Sequence, residues 1–270
     1  MSARASVFLK ACRREPVPHT PIWLMRQAGR YQASYQKIRD RVSFVELCRN
    51  SELACQVTVD AVDQLGVDAA ILFADILLIL EPLGIDFHFE AGAGPRIDAP
   101  VRDGEDVDRV AERIDAREQL GYVMQTIRLI RRELEGRVPL IGFSGAPFTL
   151  ASYAIEGRGS RDYRHTKTLM YGDEGAWNAL MERISGAVID YLAAQIEAGA
   201  QAVQLFDSWV GCLSVDDYRR YVQPHVKRIF AALDDSVPHI HFGQGNPALY
   251  PLLKEAGGDV ISVDWRLPLD

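Results

Sequence analysis

Cysteine is scarce in this chain. Its four cysteines, Cys12, Cys48, Cys55 and Cys212, form no CxxC pair and follow no regular spacing. That excludes a disulfide scaffold and a cysteine-based metal motif. Cys48 and Cys55 are seven positions apart; on one helix they would lie about two turns from each other, out of disulfide reach. Free thiols in a reducing cytoplasm are expected. No apolar run is long enough for a bilayer: the longest, residues 69–80, is interrupted by Asp75. The opening MSARASVFLKACRREP has bases but no sustained apolar segment, so no secretory signal is expected. The dinucleotide fingerprint G-x-G-x-x-G is missing, and GAGPR is not followed by a helical pattern. Positive charge is in deficit, 30 Lys and Arg against 37 Asp and Glu, for a net charge of -7. Broad nucleic-acid binding is excluded on that ground, and an anionic ligand must be drawn by a local patch.

Three segments share one grammar: VDQLGVDAAILFAD ending at Asp75, IEAGAQAVQLFD ending at Asp207 and KEAGGDVISVD ending at Asp264. In each, a helical pattern stops at glycine, a short apolar run follows and an aspartate closes it. The first helix is expected over Ser51–Leu65, with Asn50 as N-cap and Gly66 as its stop. Leu180, Ile184, Val188, Leu192 and Ile196 mark the second, and Gly199 ends it. Asn246 and Pro247 open the third, and Gly257 and Gly258 end it. The apolar runs lack polar alternation, as strands buried on both faces of a parallel sheet do. Residues 21–25, 138–145 and 238–243 read the same way. Residues 90–108 are polar and turn-rich and read as a long excursion after a strand.

Strands alternating with helices give either an open doubly wound sheet or a (β/α)8 barrel. Polar residues collect where strands end, at Arg26, Asp75, Ser144, Asp207, Ser208 and Asp264, as at a barrel rim. The expected fold is α/β, a (β/α)8 TIM barrel forming a single domain over residues 1–270. Six strand signals against the eight of a closed barrel predict that about two βα units are missing at the C-terminal end.

WLMRQAGRY places Arg26 and Arg30 four positions apart with no acid in the stretch, and Lys37 and Arg39 follow. Guanidiniums hold carboxylates in bidentate forks, so several without counterions suit a ligand with several carboxylates. An exposed turn whose arginines pair elsewhere is the plainer reading. Gln27, Ala28 and Gly29 between them leave room for close approach to the backbone. Asp75 is flanked by apolar residues on both sides; it serves a ligand, caps the next helix or is a buried partner for an arginine. Tyr153 follows Gly142, Gly145 and Pro147 on a short helix, where it can present a phenol to the cleft or simply pack. The basic loop after it, with Arg158, Arg161 and Arg164, is a lid or a surface segment. Asp207 and Ser208 lie at a strand end outside any nucleophile elbow. His239 and His241 are read as facing opposite sides of a strand, and no metal site is expected from them.

PIWLMRQAGRY, VDAAILFADILLILEPLGIDFHFEAGAGP, PLIGFSGAPFTLASYAIEGRGS and QLFDSWVG together resemble the uroporphyrinogen decarboxylase family across essentially all 270 residues. The resemblance implies a cytoplasmic, cofactor-free homodimer that removes four acetate carboxyls from uroporphyrinogen, a small-molecule substrate with eight carboxylates, to give coproporphyrinogen. It implies substrate contacts from the Arg26, Gln27, Ala28, Gly29, Arg30 loop, from Arg39, and from Tyr153 and Ser208. It implies that Asp75 accepts the pyrrole N–H groups, with Arg26 and Tyr153 beside it in the chemistry. Gln32, Ala33 and Ser34 stand where the family has Leu-Pro-Glu, and the family's Gly-His-Gly histidine has no counterpart here. Two other readings stand beside it: a cobalamin-linked methyltransferase, which would need zinc held by His and Cys, and a porphyrinogen binder without turnover.

Overall fold

In the computed structural model, residues 6–90, 92 and 94–268 are described. In chain order, α1 (Val7–Cys12), α2 (Ala33–Arg39), α3 (Phe44–Arg49) and α4 (Ser51–Leu65) lead to β1 (Ala70–Ile71). Next come β2 (Phe87–Glu90), β3 (Gly94–Ile97), α5 (Gly104–Asp108), α6 (Ala116–Gln119) and α7 (Gly121–Glu133). β4 (Leu140–Gly145) is followed by α8 (Pro147–Glu156), α9 (Arg164–Gly172) and α10 (Glu174–Ala198). β5 (Ala202–Asp207), α11 (Val215–Tyr221), α12 (Gln223–Ala232), β6 (His239–Gly243), α13 (Tyr250–Ala256) and β7 (Val260–Ser262) complete the described chain.

Five strands pair in parallel in the order β1-β4-β5-β6-β7. The order follows the sequence without reversal, which is how barrel strands run; a doubly wound sheet reverses at a switch point. The sixth expected strand does not join the ladder. Residues 21–25 run beside β1 and are held there by Asp68, whose N–H donates to Ile22 O at 2.8 Å and whose Oδ2 accepts from Ile22 N at 2.8 Å. Ile22, Leu24 and Met25 stay exposed, so nothing on that side extends the pairing. The excursion over residues 90–108 begins as the return of an antiparallel hairpin, in which β3 pairs with β2.

The helix signals hold. Asn50 Oδ1 accepts from Leu53 N at 2.9 Å, and Gly66 closes α4 at φ 64. Asn50 also ends α3, so Cys48 and Cys55 lie on different helices rather than one. All four cysteines are free thiols, and burial pushes Cys12, Cys55 and Cys212 up to about 11.

Register sorts the side chains of the sheet. Phe143, Phe206 and Phe242 share one face, with successive ring centroids 5.5 Å and 5.5 Å apart. The opposite face meets the helices: Gln195 of α10 bonds Phe143 N and Phe143 O, both at 2.8 Å, and Phe230 of α12 packs on both histidines of β6. His239 and His241 therefore share a face, against the expectation that they point apart. Residues two apart on a strand always do.

Candidate functional site at the strand ends

The arginine loop is folded back on itself. Gln27 is buried, and its Oε1 accepts from Leu24 N at 3.1 Å. Gln32 Oε1 accepts from Gly29 N at 3.1 Å, and Tyr31 Oη donates to Gln27 O. The loop amides are thus engaged by its own glutamines, and the side Gly29 leaves open faces the Tyr31 ring at 3.3 Å. The room expected there for a ligand is taken by Tyr31. Trp23 packs edge-on against Phe8, centroids 6.5 Å apart, and anchors the entry to the loop.

Asp75 sits in the turn after β1, half-buried. Phe73 N donates to Thr58 Oγ1 at 3.2 Å, which ties this turn to α4. Asp75 Oδ1 accepts from Leu77 N at 2.8 Å, closing a turn on itself; the short 3-10 helix that follows, Leu78–Leu80, has Leu77 at its N-cap and no side-chain cap, so Asp75 does not cap it. Among the described residues Oδ2 has no hydrogen-bond partner. Burial pushes the Asp75 carboxyl up, while the Leu77 N–H and the nearby positive charge of Arg26 pull it down. Tyr153 belongs to the same electrostatic group. Burial first, and then the Asp75 charge, push its phenol up to about 12, with Arg26 opposing. Arg26, Asp75 and Tyr153, scattered over 128 positions of sequence, therefore lie within electrostatic reach of one another.

The other predicted residues sit differently. Arg30 is exposed and its carbonyl accepts from Gln36 Nε2 at 2.5 Å. Arg39 is half-buried, donates to Val42 O and lies over the Phe44 ring, 5.9 Å from its centroid. Its guanidinium is occupied by its own neighbourhood. Ala28 packs against the small cluster of Tyr35, Leu47 and Val57. Ser208 is half-buried at the end of β5, with its carbonyl accepting from Gln244 Nε2 at 2.9 Å. Arg158, Arg161 and Arg102 border an open cavity of about 540 Å³ with Glu156 and His165. The basic loop expected as a lid lies there.

Sequence reasoning gave no role to Trp209 and Thr149. The Trp209 ring lies on the Tyr153 ring, centroids 3.8 Å apart. Thr149 is buried beside them and bonds both Asp207 and the Trp209 backbone. The available signal was an aromatic residue directly after Asp-Ser at a strand end. Among the described residues no three of His, Cys, Asp and Glu group closely enough to hold a metal ion.

A parallel sheet in sequence order, with charged and polar groups gathered beyond the C-terminal strand ends, defines the TIM-barrel class of enzyme. The family model described as "Uroporphyrinogen decarboxylase (URO-D)" matches residues 4–270. The chain is 57% identical over 264 residues to the uroporphyrinogen decarboxylase of Sorangium cellulosum, covering 97% of this chain and 75% of that one. It is 56% identical to that of Carboxydothermus hydrogenoformans over the same shares. With that of Streptomyces coelicolor it shares 52% identity, over 98% of this chain and 74% of that one. A solved methyltransferase from Methanosarcina mazei superposes with a TM-score of 0.76 at 20% identity, over 97% of this chain and 76% of that chain, which shows the barrel fold alone. The chain belongs to the uroporphyrinogen decarboxylase family.

Proposed function

We propose that the protein is a carboxy-lyase of tetrapyrrole biosynthesis that removes the acetate carboxyls of uroporphyrinogen without a cofactor. The observation that supports this reading is that Asp75, in the turn after β1, and Arg26 both act electrostatically on Tyr153 of α8. Asp75 is a half-buried carboxylate with one oxygen left without a hydrogen-bond partner among the described residues. A polycarboxylate macrocycle whose pyrrole N–H groups meet it supplies hydrogen bonds to its oxygen, and Arg26 and Arg30 meet the ligand's own carboxylates. Gln27, Ala28 and Gly29 carry those arginines, and Ser208 lines the cleft; Arg39, engaged by Val42 O and the Phe44 ring, is left out of the lining.

The chemistry needs an electron sink next to the acetate. Protonation of a pyrrole carbon makes the ring cationic. The C–C bond to the carboxylate then breaks, its electron pair enters the ring, and CO2 leaves. The exocyclic methylene that results takes a proton to become methyl, and the ring loses the proton it gained. The substrate is its own sink, so pyridoxal or thiamine chemistry is not called on. Asp75 stabilises the cation where charge develops. Tyr153, with its phenol held in the protonated form, donates a hydrogen bond to a leaving or neighbouring carboxylate. Arg26 acts by charge rather than as an acid, since a guanidinium does not give up its proton near neutral pH.

The protein acts in the cytoplasm as a homodimer with its clefts facing each other; among the described residues no helix is long and apolar enough to cross a membrane. Uroporphyrinogen turnover by Asp75→Gly tests the assignment of the acid. Loss of at least about 100-fold is expected from removing a group aimed at developing charge. Unchanged turnover removes Asp75 from the mechanism.

A further inference from the structure

The turn that ends β5 is gripped from α8 at two points. Asp207 is fully buried, and by strand alternation it points to the helix side of the sheet rather than to the face of Phe206. There Thr149 Oγ1 donates to Asp207 Oδ1 at 3.0 Å. The same Oγ1 accepts the backbone N–H of Trp209 at 3.2 Å. A hydroxyl has a single proton, and the Trp209 N–H must be accepted. The Thr149 proton is therefore directed to Asp207, and residues 207–209 close around one side chain. Thr149 and Tyr153 are four apart on α8 and so share a helix face one turn apart. The first fixes the Trp209 backbone; the second stacks on the Trp209 ring, 3.8 Å between centroids and 31° between planes. Tyr163 closes the far edge of that ring at 5.4 Å.

We propose that Thr149, oriented by Asp207, is a positioning residue that sets the Trp209 ring on Tyr153 and so fixes Tyr153 and Ser208 at the cleft. The proposal rests on the reading of Tyr153 as a cleft residue, but its physical core is independent of turnover. Asp207 needs no contact with substrate in this role. Among the described residues its second oxygen is buried with no partner, and the side-chain hydrogen bond it does accept, on Oδ1, comes from Thr149. That arrangement makes the Thr149 hydroxyl hard to replace by a methyl group, because both Asp207 Oδ1 and the Trp209 N–H would be left unpaired.

The test is fluorine NMR of the protein carrying 5-fluorotryptophan. The chain has four tryptophans, and the Trp209 signal is identified by its loss in Trp209→Phe. Thr149→Val is expected to move the Trp209 signal towards its position in Tyr153→Leu, where the stack is gone. Thr149→Ser, which keeps the hydroxyl, is expected to leave it in place. The signal of Trp23, packed edge-on against Phe8 of α1, reports whether the fold is intact. A Trp209 signal that is the same in Thr149→Val and wild type overturns the proposal. So does a Thr149→Ser shift as large as that of Tyr153→Leu, a comparison that holds even where Thr149→Val does not fold. In turnover, Thr149→Val is expected to lower kcat about tenfold with KM little changed, the mark of a misplaced group. Full turnover in Asp75→Gly and Tyr153→Phe defeats the reading of the site and leaves the NMR result standing. Their inactivation beside an unmoved Trp209 signal defeats the positioning role alone.

Discussion

Tyr153 and Trp209 lie ring on ring, 3.8 Å between centroids, joining the helix after β4 to the turn after β5. With its phenol pushed up to about 12, Tyr153 keeps its proton through the whole range in which the protein works. Tyr153→Phe is therefore expected to lower turnover by about 10- to 100-fold through loss of a donor, with no change in how the remaining rate depends on pH between 6 and 9. A new inflection in that range in the variant contradicts the assignment of the phenol as a protonated donor.

Arg26 is the one predicted cation whose charge reaches both Asp75 and Tyr153. Removing it leaves the half-buried carboxylate less compensated and its carboxyl higher still. Both arginines are exposed, but only Arg26 bears on Asp75 and Tyr153; Arg26→Gln is expected to cut kcat/KM by about 100-fold, whereas Arg30→Gln mainly raises KM. Arg39→Gln gives up a contact to Val42 O and the Phe44 ring and changes stability by about 1 kcal/mol or less, with a small effect on kcat. Steady-state kinetics of the three variants side by side checks the order.

Two buried groups make stability depend on pH in opposite directions. Burial pushes Asp207 up to about 7, so between about pH 4 and 7 the folded chain holds a proton that the unfolded chain has released. Stability falls as pH rises through that window. Burial pushes His241 down to about 4; there the unfolded chain takes up the proton, and stability falls as pH drops from about 6.5 to 4. Asp207→Asn removes the first dependence. Its stability relative to wild type is expected to grow from pH 4 to 7, by up to about 1.4 kcal/mol per unit, and to level off above 7. Urea unfolding midpoints at several pH values read it, and a constant difference contradicts the burial of the charge.

Gly211 holds two loops of the site together. A side chain there would come within 2.4 Å of Gln244 O and 2.8 Å of Gly245 Cα, both backbone atoms that cannot swing aside. Gln244 also bonds the Ser208 carbonyl, so the strand-end loops after β5 and β6 move as one. Gly211→Ala is expected to destabilise the protein by about 1–3 kcal/mol and to lower activity by displacing Ser208. Thermal unfolding at unchanged midpoint contradicts the tight approach.

The alternation of helix and apolar run was legible because both depend on local pattern: Asn50, Gly66 and Gly199 end or begin helices as expected. Residues 21–25 misled, because an apolar run looks the same whether it pairs in a ladder or is pinned at one point by Asp68. The three strand-end aspartates show the limit more sharply. Asp75 bonds Leu77 N within its own turn and feels the charge of Arg26, Asp207 is buried against Thr149, and Asp264 is half-buried, binding Gly245 N at 2.8 Å and pairing with Arg266. One local grammar produced three roles, since register and the neighbouring strand decide where a terminal carboxylate points. Arg26 with Asp75 and Tyr153 could be named from sequence; the Thr149 grip on Trp209 could not, because it depends on which helix face meets β5.

The most direct measurement is to incubate the protein with uroporphyrinogen and resolve the oxidised products by carboxyl number. Stepwise appearance of species with seven, six, five and four carboxyls is expected in the absence of any added cofactor, and their disappearance in Asp75→Gly. Products that retain all eight carboxyls with the wild-type protein, or the same stepwise series from Asp75→Gly, contradict it.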